Sequence, residues 1–140
     1  MPARFKQIAL TIFLLLAVVF RASSPSLKSV VIFDVPPVEP YKQLMNAIAY
    51  VETKYDTLAY NPMEQAAGIF QIRPIRLAEY NRLTGEKYEM KDLFNYKVSE
   101  KIFLFFADRI GPYNTEMIAR KWNGSGHRTI YYWNRIKRYL

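Results

Sequence analysis

Tyr41-Lys42-Gln43-Leu44-Met45-Asn46-Ala47-Ile48-Ala49-Tyr50-Val51-Glu52-Thr53 is the stretch from which the rest of the chain is read. Tyr41, Leu44, Met45, Ile48 and Ala49 recur at i, i+3, i+4, i+7 and i+8, the period of one helix face turned to a core. The next position on that face is Glu52. A carboxyl group placed there is partly dehydrated, and dehydration disfavours its charged form. Its pKa rises, and a carboxyl kept protonated near neutral pH can donate a proton. The competing reading is a solvated glutamate near a helix end, or one paired with Lys54 two residues on.

Outward from this helix, Asp56 to Arg73 is rich in turn formers such as Asn61-Pro62 and Gly68, and is expected to be irregular or to hold a small β segment. Pro74 can start a helix that Gly85 closes. Val98, Ile102, Phe105 and Phe106 predict a core helix over Asp92 to Arg109, ended by Gly111-Pro112. Thr115 is expected to cap a helix to Trp122, Gly124-Ser125-Gly126 to break it, and Thr129 to cap a last helix with Ile130, Trp133, Ile136 and Leu140 inward. The expected fold class is therefore mainly α, of α+β type: one compact helical domain over 40–140, with an irregular or small β segment after the Glu52 helix.

The first residues have a different character. Arg4 and Lys6 precede an apolar run from Ile8 to Phe20, and Arg21-Ala22-Ser23-Ser24 follows. Residues 1–24 are read as a secretory signal peptide, with an uncleaved anchor as the alternative, although the run is shorter than the ~20 residues a spanning helix needs. Residues 25–39, with Pro25, Pro36 and Pro37, read as a linker in which Val30 to Phe33 could form a short strand.

Over its 140 residues the chain is 51% hydrophobic and 16% aromatic, enough to bury a core. It has no cysteine, so an exported domain must hold by packing, without disulfides, a thiol nucleophile or a zinc site built on Cys. With a single histidine, His127, no metal or other cofactor is expected. The net charge is +8, and setting aside the three bases of the first segment leaves +5, a balance that favours anionic partners. The bases are scattered, except for Arg135, Lys137 and Arg138 near the C-terminus, and no basic run interleaved with aromatics marks a nucleic-acid surface, so nucleic acid is not expected to be the partner.

Three further groups of residues bear on Glu52. Gly68-Ile69-Phe70-Gln71 sets a residue without a side chain before two large apolar groups and an amide: a backbone that a ligand can approach, a wall, and a donor with an acceptor. A tight loop with a buried edge reads the same residues structurally. Trp122-Asn123-Gly124 ends a helix in an amide beside an indole, suited to a sugar, or else is a helix stop with a core tryptophan. In Thr129 to Ile136, the phenol of Tyr132 could hydrogen-bond a buried carboxyl and orient it, or simply pack on a capped helix.

In this order and spacing, the pieces resemble the lysozyme-like superfamily, most closely the soluble type of lytic transglycosylase domain, over about Pro40 to Ile136. In that family a helix ends in Glu and a small hydroxyl residue, here Glu52-Thr53, followed by a Gly-Leu-Met-Gln motif, here Gly68-Ile69-Phe70-Gln71. An Ala-Tyr-Asn-Gly motif is matched loosely by Ala119 and Trp122-Asn123-Gly124, and a Thr-x-x-Tyr helix start by Thr129 to Tyr132. Ala119 to Gly124 and Tyr132 to Ile136 are also similar to the end of invertebrate-type lysozymes. Thr53 stands where serine is usual, and Ser125 where a second glycine is.

The resemblance implies cleavage of the β-1,4 bond between N-acetylmuramic acid and N-acetylglucosamine in peptidoglycan. Glu52 is the implied catalytic acid and base. Thr53, Gly68, Ile69, Phe70, Gln71, Trp122, Asn123 and Tyr132 are the implied substrate-binding residues, Tyr132 also orienting Glu52. A hydrolase of the same bond normally needs a second carboxylate, and Asp56 and Glu64 are the only acids near enough in sequence before Gln71. The transglycosylase outcome, with 1,6-anhydro products, is expected first and the lysozyme-type hydrolase second. A catalytically silent glycan-binding scaffold in a cell-envelope machine is the alternative of another class. The expected partner is the peptidoglycan strand, the expected place the periplasm or cell envelope of a bacterium, near the membrane if the first segment is retained, and the expected state a monomer.

Overall fold

Helix α1, Lys42–Thr53, carries the predicted stripe into the core: Tyr41, Leu44, Met45, Ile48 and Ala49 are all buried. Ala47 and Val51 are buried as well, so neighbours cover the helix on more than one side. The described residues of the computed structural model are 40–140, and they are mainly helical. The signal or anchor expected over 1–24, the linker over 25–39 and its short strand lie outside the described residues. No helix among the described residues is long and apolar enough to cross a membrane.

Just past Glu52 and Thr53 the helix stops in an uncommon way. Lys54 and Tyr55 both take positive φ, 55° and 70°, without being glycine. The Tyr55 N–H reaches back to the Ala49 carbonyl at 3.2 Å and the Lys54 N–H to Tyr50 at 3.1 Å, satisfying carbonyls of the last turn. A left-handed non-glycine residue costs about 1–2 kcal/mol, so two in succession must be held by their surroundings. The Lys54 ammonium lies 3.8 Å from the centre of the Tyr50 ring, and that ring also meets Tyr55 and Tyr139. Lys54 is thus occupied away from Glu52.

The segment expected to be irregular or a small β piece is a short antiparallel hairpin. β1, Tyr60–Asn61, pairs with β2, Ala66–Ala67, in the register Tyr60 to Ala67 and Asn61 to Ala66. The Asn61 side chain accepts the Met63 N–H at 3.0 Å and sets the turn at Asn61-Pro62. Helix α2, Pro74–Thr84, starts on its proline and ends at Gly85 (φ 79°), as its sequence predicts.

The expected helix over Asp92 to Arg109 is two elements. A 3-10 turn, Met90–Phe94, has reciprocal capping by Glu89 and Asp92, and α3, Tyr96–Asp108, starts anew after Asn95. Asn95 adopts an extended conformation and its side chain accepts the Lys97 N–H, which resets the helical ladder. The core face of α3 is also rotated from the expected one. Ser99, Ile102, Phe103 and Ala107 are buried, while Val98, Phe105 and Phe106 are half-buried.

Helix α4, Thr115–Asn123, is capped by Asn114 one residue before the expected Thr115; its side chain accepts the Met117 N–H. Helix α5, Arg128–Ile136, takes Thr129 into its first turn instead of using it as the cap. There the Thr129 hydroxyl donates to the Gly126 carbonyl at 2.7 Å and accepts from Arg120 Nε at 3.1 Å, tying α5 to α4. Thr129, Tyr132 and Ile136 face inward, Ile130 and Trp133 are half-buried, and Leu140, expected inward, is exposed.

α1 packs against both α4 and α5, and the aromatic centre beside it is built by Phe70, Phe103 and Trp122. Phe103 sits 5.2 Å from Phe70 and 4.8 Å from Trp122, between ring centres. Contacts of this kind contribute about 0.5–1.5 kcal/mol each beyond the area they bury. The same packing brings the end of α1 to the end of α4 and the middle of α5.

Candidate active site

A cleft with a cavity volume of about 440 Å³ opens where those helix ends meet the hairpin. α1 contributes Glu52, the hairpin Asn61 and Glu64, and the turn that follows contributes Gln71 and Arg73. Ile75, Arg76 and Glu79 come from α2, Trp122 and Asn123 from α4, and Tyr132 and Arg135 from α5. A second cavity, about 570 Å³, lies at the turn between α4 and α5 and is lined by Met117, Arg120 and Ile130 among others. It is larger, but the carboxyl and phenol described next both belong to the first.

The Tyr132 hydroxyl donates to Glu52 Oε1 at 2.6 Å. Burial raises the Glu52 pKa above the usual glutamate value and outweighs three opposing influences: the Tyr132 hydrogen bond and the charges of Arg135 and Arg73. The charge of Glu64 pushes it further up. Tyr132 is itself pushed up, first by burial and then by the Glu52 charge, so it remains a neutral donor. The result is a carboxyl held in one orientation with its proton affinity increased, in a cleft open to a ligand.

Thr53 works on the protein side of this arrangement. Its hydroxyl lies 3.1 Å from both the Ala49 and the Ile69 carbonyls, pinning the end of α1 to the Gly68-to-Gln71 turn. It does not line the cleft. Gly68, Ile69 and Phe70 do not line it either. Gly68 has φ 75°, and a Cβ there would overlap the carbonyl of Leu93. The backbone that this glycine admits is the protein's own. Ile69 is 6% exposed and Phe70 1%, so the pair is core beneath the cleft and forms no wall of it.

Gln71, with φ 51°, stands at the surface of that turn. Its amide nitrogen donates to the Gly68 carbonyl at 3.1 Å and more weakly to Ala59 at 3.4 Å. Its Oε1 accepts no hydrogen bond among the described residues, which leaves an oriented acceptor at the cleft. Trp122 lines the cleft with little more than an edge, being 7% exposed, and its indole N–H donates to the Phe70 carbonyl at 3.0 Å. That is the core reading of the tryptophan. Asn123, half-buried beside it, presents an amide.

The sequence gives the arginines no place in the site, and Arg135 stands out in it only as one of the C-terminal bases. Arg73 grips Glu64 through two hydrogen bonds of 3.1 and 3.3 Å. Arg76 donates from one nitrogen to the Lys121 and Trp122 carbonyls at 2.9 and 3.2 Å, closing the C-terminus of α4, and its guanidinium stacks 4.6 Å from the Trp122 ring centre. Arg135 donates a long 3.4 Å bond to the Val51 carbonyl at the end of α1. Nothing in their sequence contexts points to a shared site; only the meeting of α1, α2 and α5 gathers them. Of the two acids weighed as second carboxylates, Glu64 lines the cleft. Asp56 does not: its Oδ1 accepts the Leu58 N–H at 2.8 Å in an exposed turn. Glu79, unnoticed in the sequence, lines the cleft too.

Compared with protein-family models, curated proteins and solved structures, the chain matches none.

Proposed function

We propose that the chain is a peptidoglycan-cleaving lytic transglycosylase, with Glu52 as general acid and then general base. The observation that carries this reading is the Glu52–Tyr132 pair: a carboxyl with raised proton affinity, oriented by a phenol at 2.6 Å, in a cleft that also presents the amides of Gln71 and Asn123. Protonated Glu52 gives its proton to the glycosidic oxygen as the C1–O bond of the muramic sugar breaks through an oxocarbenium-like transition state. The carboxylate left behind takes the proton of that sugar's C6 hydroxyl, and O6 closes on C1 to form the 1,6-anhydro ring. One carboxyl serves both steps and is returned protonated. Gln71 and Asn123 hold N-acetyl or hydroxyl groups of the strand.

The second reading is a lysozyme-type hydrolase, and the observation that favours it is the presence of Glu64 and Glu79 in the same cleft. The tie of Glu64 to Arg73 weighs against its use as a free base. Mass analysis of products from purified peptidoglycan separates the readings. Muramic products one water lighter than the hydrolysed sugars support the transglycosylase, and reducing-end products support the hydrolase. Binding without cleavage makes the domain a glycan-binding scaffold.

A further inference from the structure

Three guanidinium groups line the cleft, and two are committed within the protein. Arg73 is forked onto Glu64, and Arg76 is stacked on Trp122 while bonded to the end of α4. Arg135 is different. It lies three residues after Tyr132, on the same side of α5, and its exposed guanidinium makes one 3.4 Å bond to the Val51 carbonyl. It forms no ion pair among the described residues. A guanidinium offers five donors in a planar fork that matches a carboxylate, so most of its capacity is unused.

We propose that Arg135 is a specificity-determining residue that pairs with a carboxylate carried by the sugar whose bond is broken at Glu52, so that the site selects an acidic glycan over a neutral amino-sugar polymer. The proposal rests on the glycan-cleaving reading above and adds the group that recognises the acid. Its position also links binding to protonation. The charged or titratable groups acting on Glu52 are Tyr132 and Arg135 from α5 together with Arg73 and Glu64 from the hairpin side, and Arg76 and Glu79 of α2 line the same cleft. Arg135 favours the Glu52 anion in the free protein; a bound carboxylate offsets that charge and favours the protonated acid when substrate is present.

The test measures, by calorimetry, binding of soluble glycan strands to the full chain in its Glu52→Gln form. One set of strands has free carboxylates, and the other has them converted to methyl esters. The acidic strands are expected to bind about tenfold more tightly or better. Arg135→Gln should remove that preference, Arg135→Lys should keep part of it, and Arg138→Gln, which removes one charge outside the cleft, should leave it intact. Equal binding of the two strands, no binding of either, or a preference that survives Arg135→Gln overturns the proposal. So does an equal loss on Arg138→Gln, which would make the effect one of overall charge. Cleavage by the unaltered chain is scored separately: its absence alongside an Arg135-dependent preference would sink the enzymatic reading and leave the recognition role standing.

Discussion

The Tyr132 phenol and the Glu52 carboxyl, 80 residues apart in the chain, meet in a 2.6 Å hydrogen bond at the junction of α5 with the end of α1. Tyr132 is 6% exposed and Glu52 only partly covered, so the pair combines a fixed donor with a ligand-accessible acid. The bond sets the direction of the carboxyl and strengthens when the carboxyl is ionised, so it offsets part of the preference for the protonated form that burial creates.

Replacing Glu52 by Gln should reduce glycan cleavage by about a thousandfold or more, the scale of a lost general acid. The amide keeps the Tyr132 bond, so the thermal midpoint should stay level or rise. The sign with pH follows from the raised carboxyl pKa. The folded state holds the proton more tightly than the unfolded chain, so Glu52 costs no stability below the ordinary value of 4.5 and increasingly more as pH climbs through the raised folded value. Thermal melts of both forms from pH 4 to pH 8 should show the advantage of Glu52→Gln growing with pH; a gap that shrinks would contradict the burial of the carboxyl.

Replacing Tyr132 by Phe removes a bond that favours the Glu52 anion, so the carboxyl pKa should climb further. The basic limb of the pH–rate profile should move to higher pH while the maximal rate drops about tenfold, because the acid loses its orientation. Loss of the hydrogen bond should cost about 0.5–1.5 kcal/mol at a pH where Glu52 is protonated and about 1.5–3 kcal/mol where it is ionised, read by urea unfolding, with the domain still folded. An unmoved pH profile would detach the phenol from the acid.

Glu64→Gln should act mainly on the electrostatics. Its bond to Arg73 is between side chains 50% and 40% exposed, so stability should change by less than about 1 kcal/mol. Glu52 loses a neighbour that raises its pKa and faces an unpaired Arg73, so the basic limb should shift to lower pH with anhydro products still formed. Complete loss of cleavage would instead identify Glu64 as the second carboxylate of a hydrolase.

Gly68→Ala and Gly85→Ala form a matched pair, with φ 75° and 79°. At Gly85 nothing lies near the new methyl, and the cost should be only the left-handed conformation, about 1 kcal/mol. At Gly68 the methyl overlaps the Leu93 carbonyl, and the total should reach about 2–5 kcal/mol. Urea midpoints compare the two; equal losses would mean that the 3-10 turn yields easily.

Local pattern and tertiary meeting divide the description of this protein between them. The apolar period from Tyr41 to Ala49, the proline at the start of α2 and the glycine at its end are local signals, and those helices stand where the pattern puts them, because each is set by residues a turn or two apart. Glu52 was visible for the same reason, as a carboxyl on an otherwise apolar face. The period could not say that Asn95 would restart α3, since an amide's competition with the helical ladder depends on whether its side chain finds a backbone N–H. Nor could it tell which apolar residues of the Gly68 turn would be wall and which core. Ile69 and Phe70 went inward because Phe103 and Trp122 arrive from α3 and α4 to cover them. The grouping of Arg73, Arg76 and Arg135 is likewise invisible in one dimension: charged side chains carry no periodic signature, and only the docking of three distant helices gathers them around one cleft.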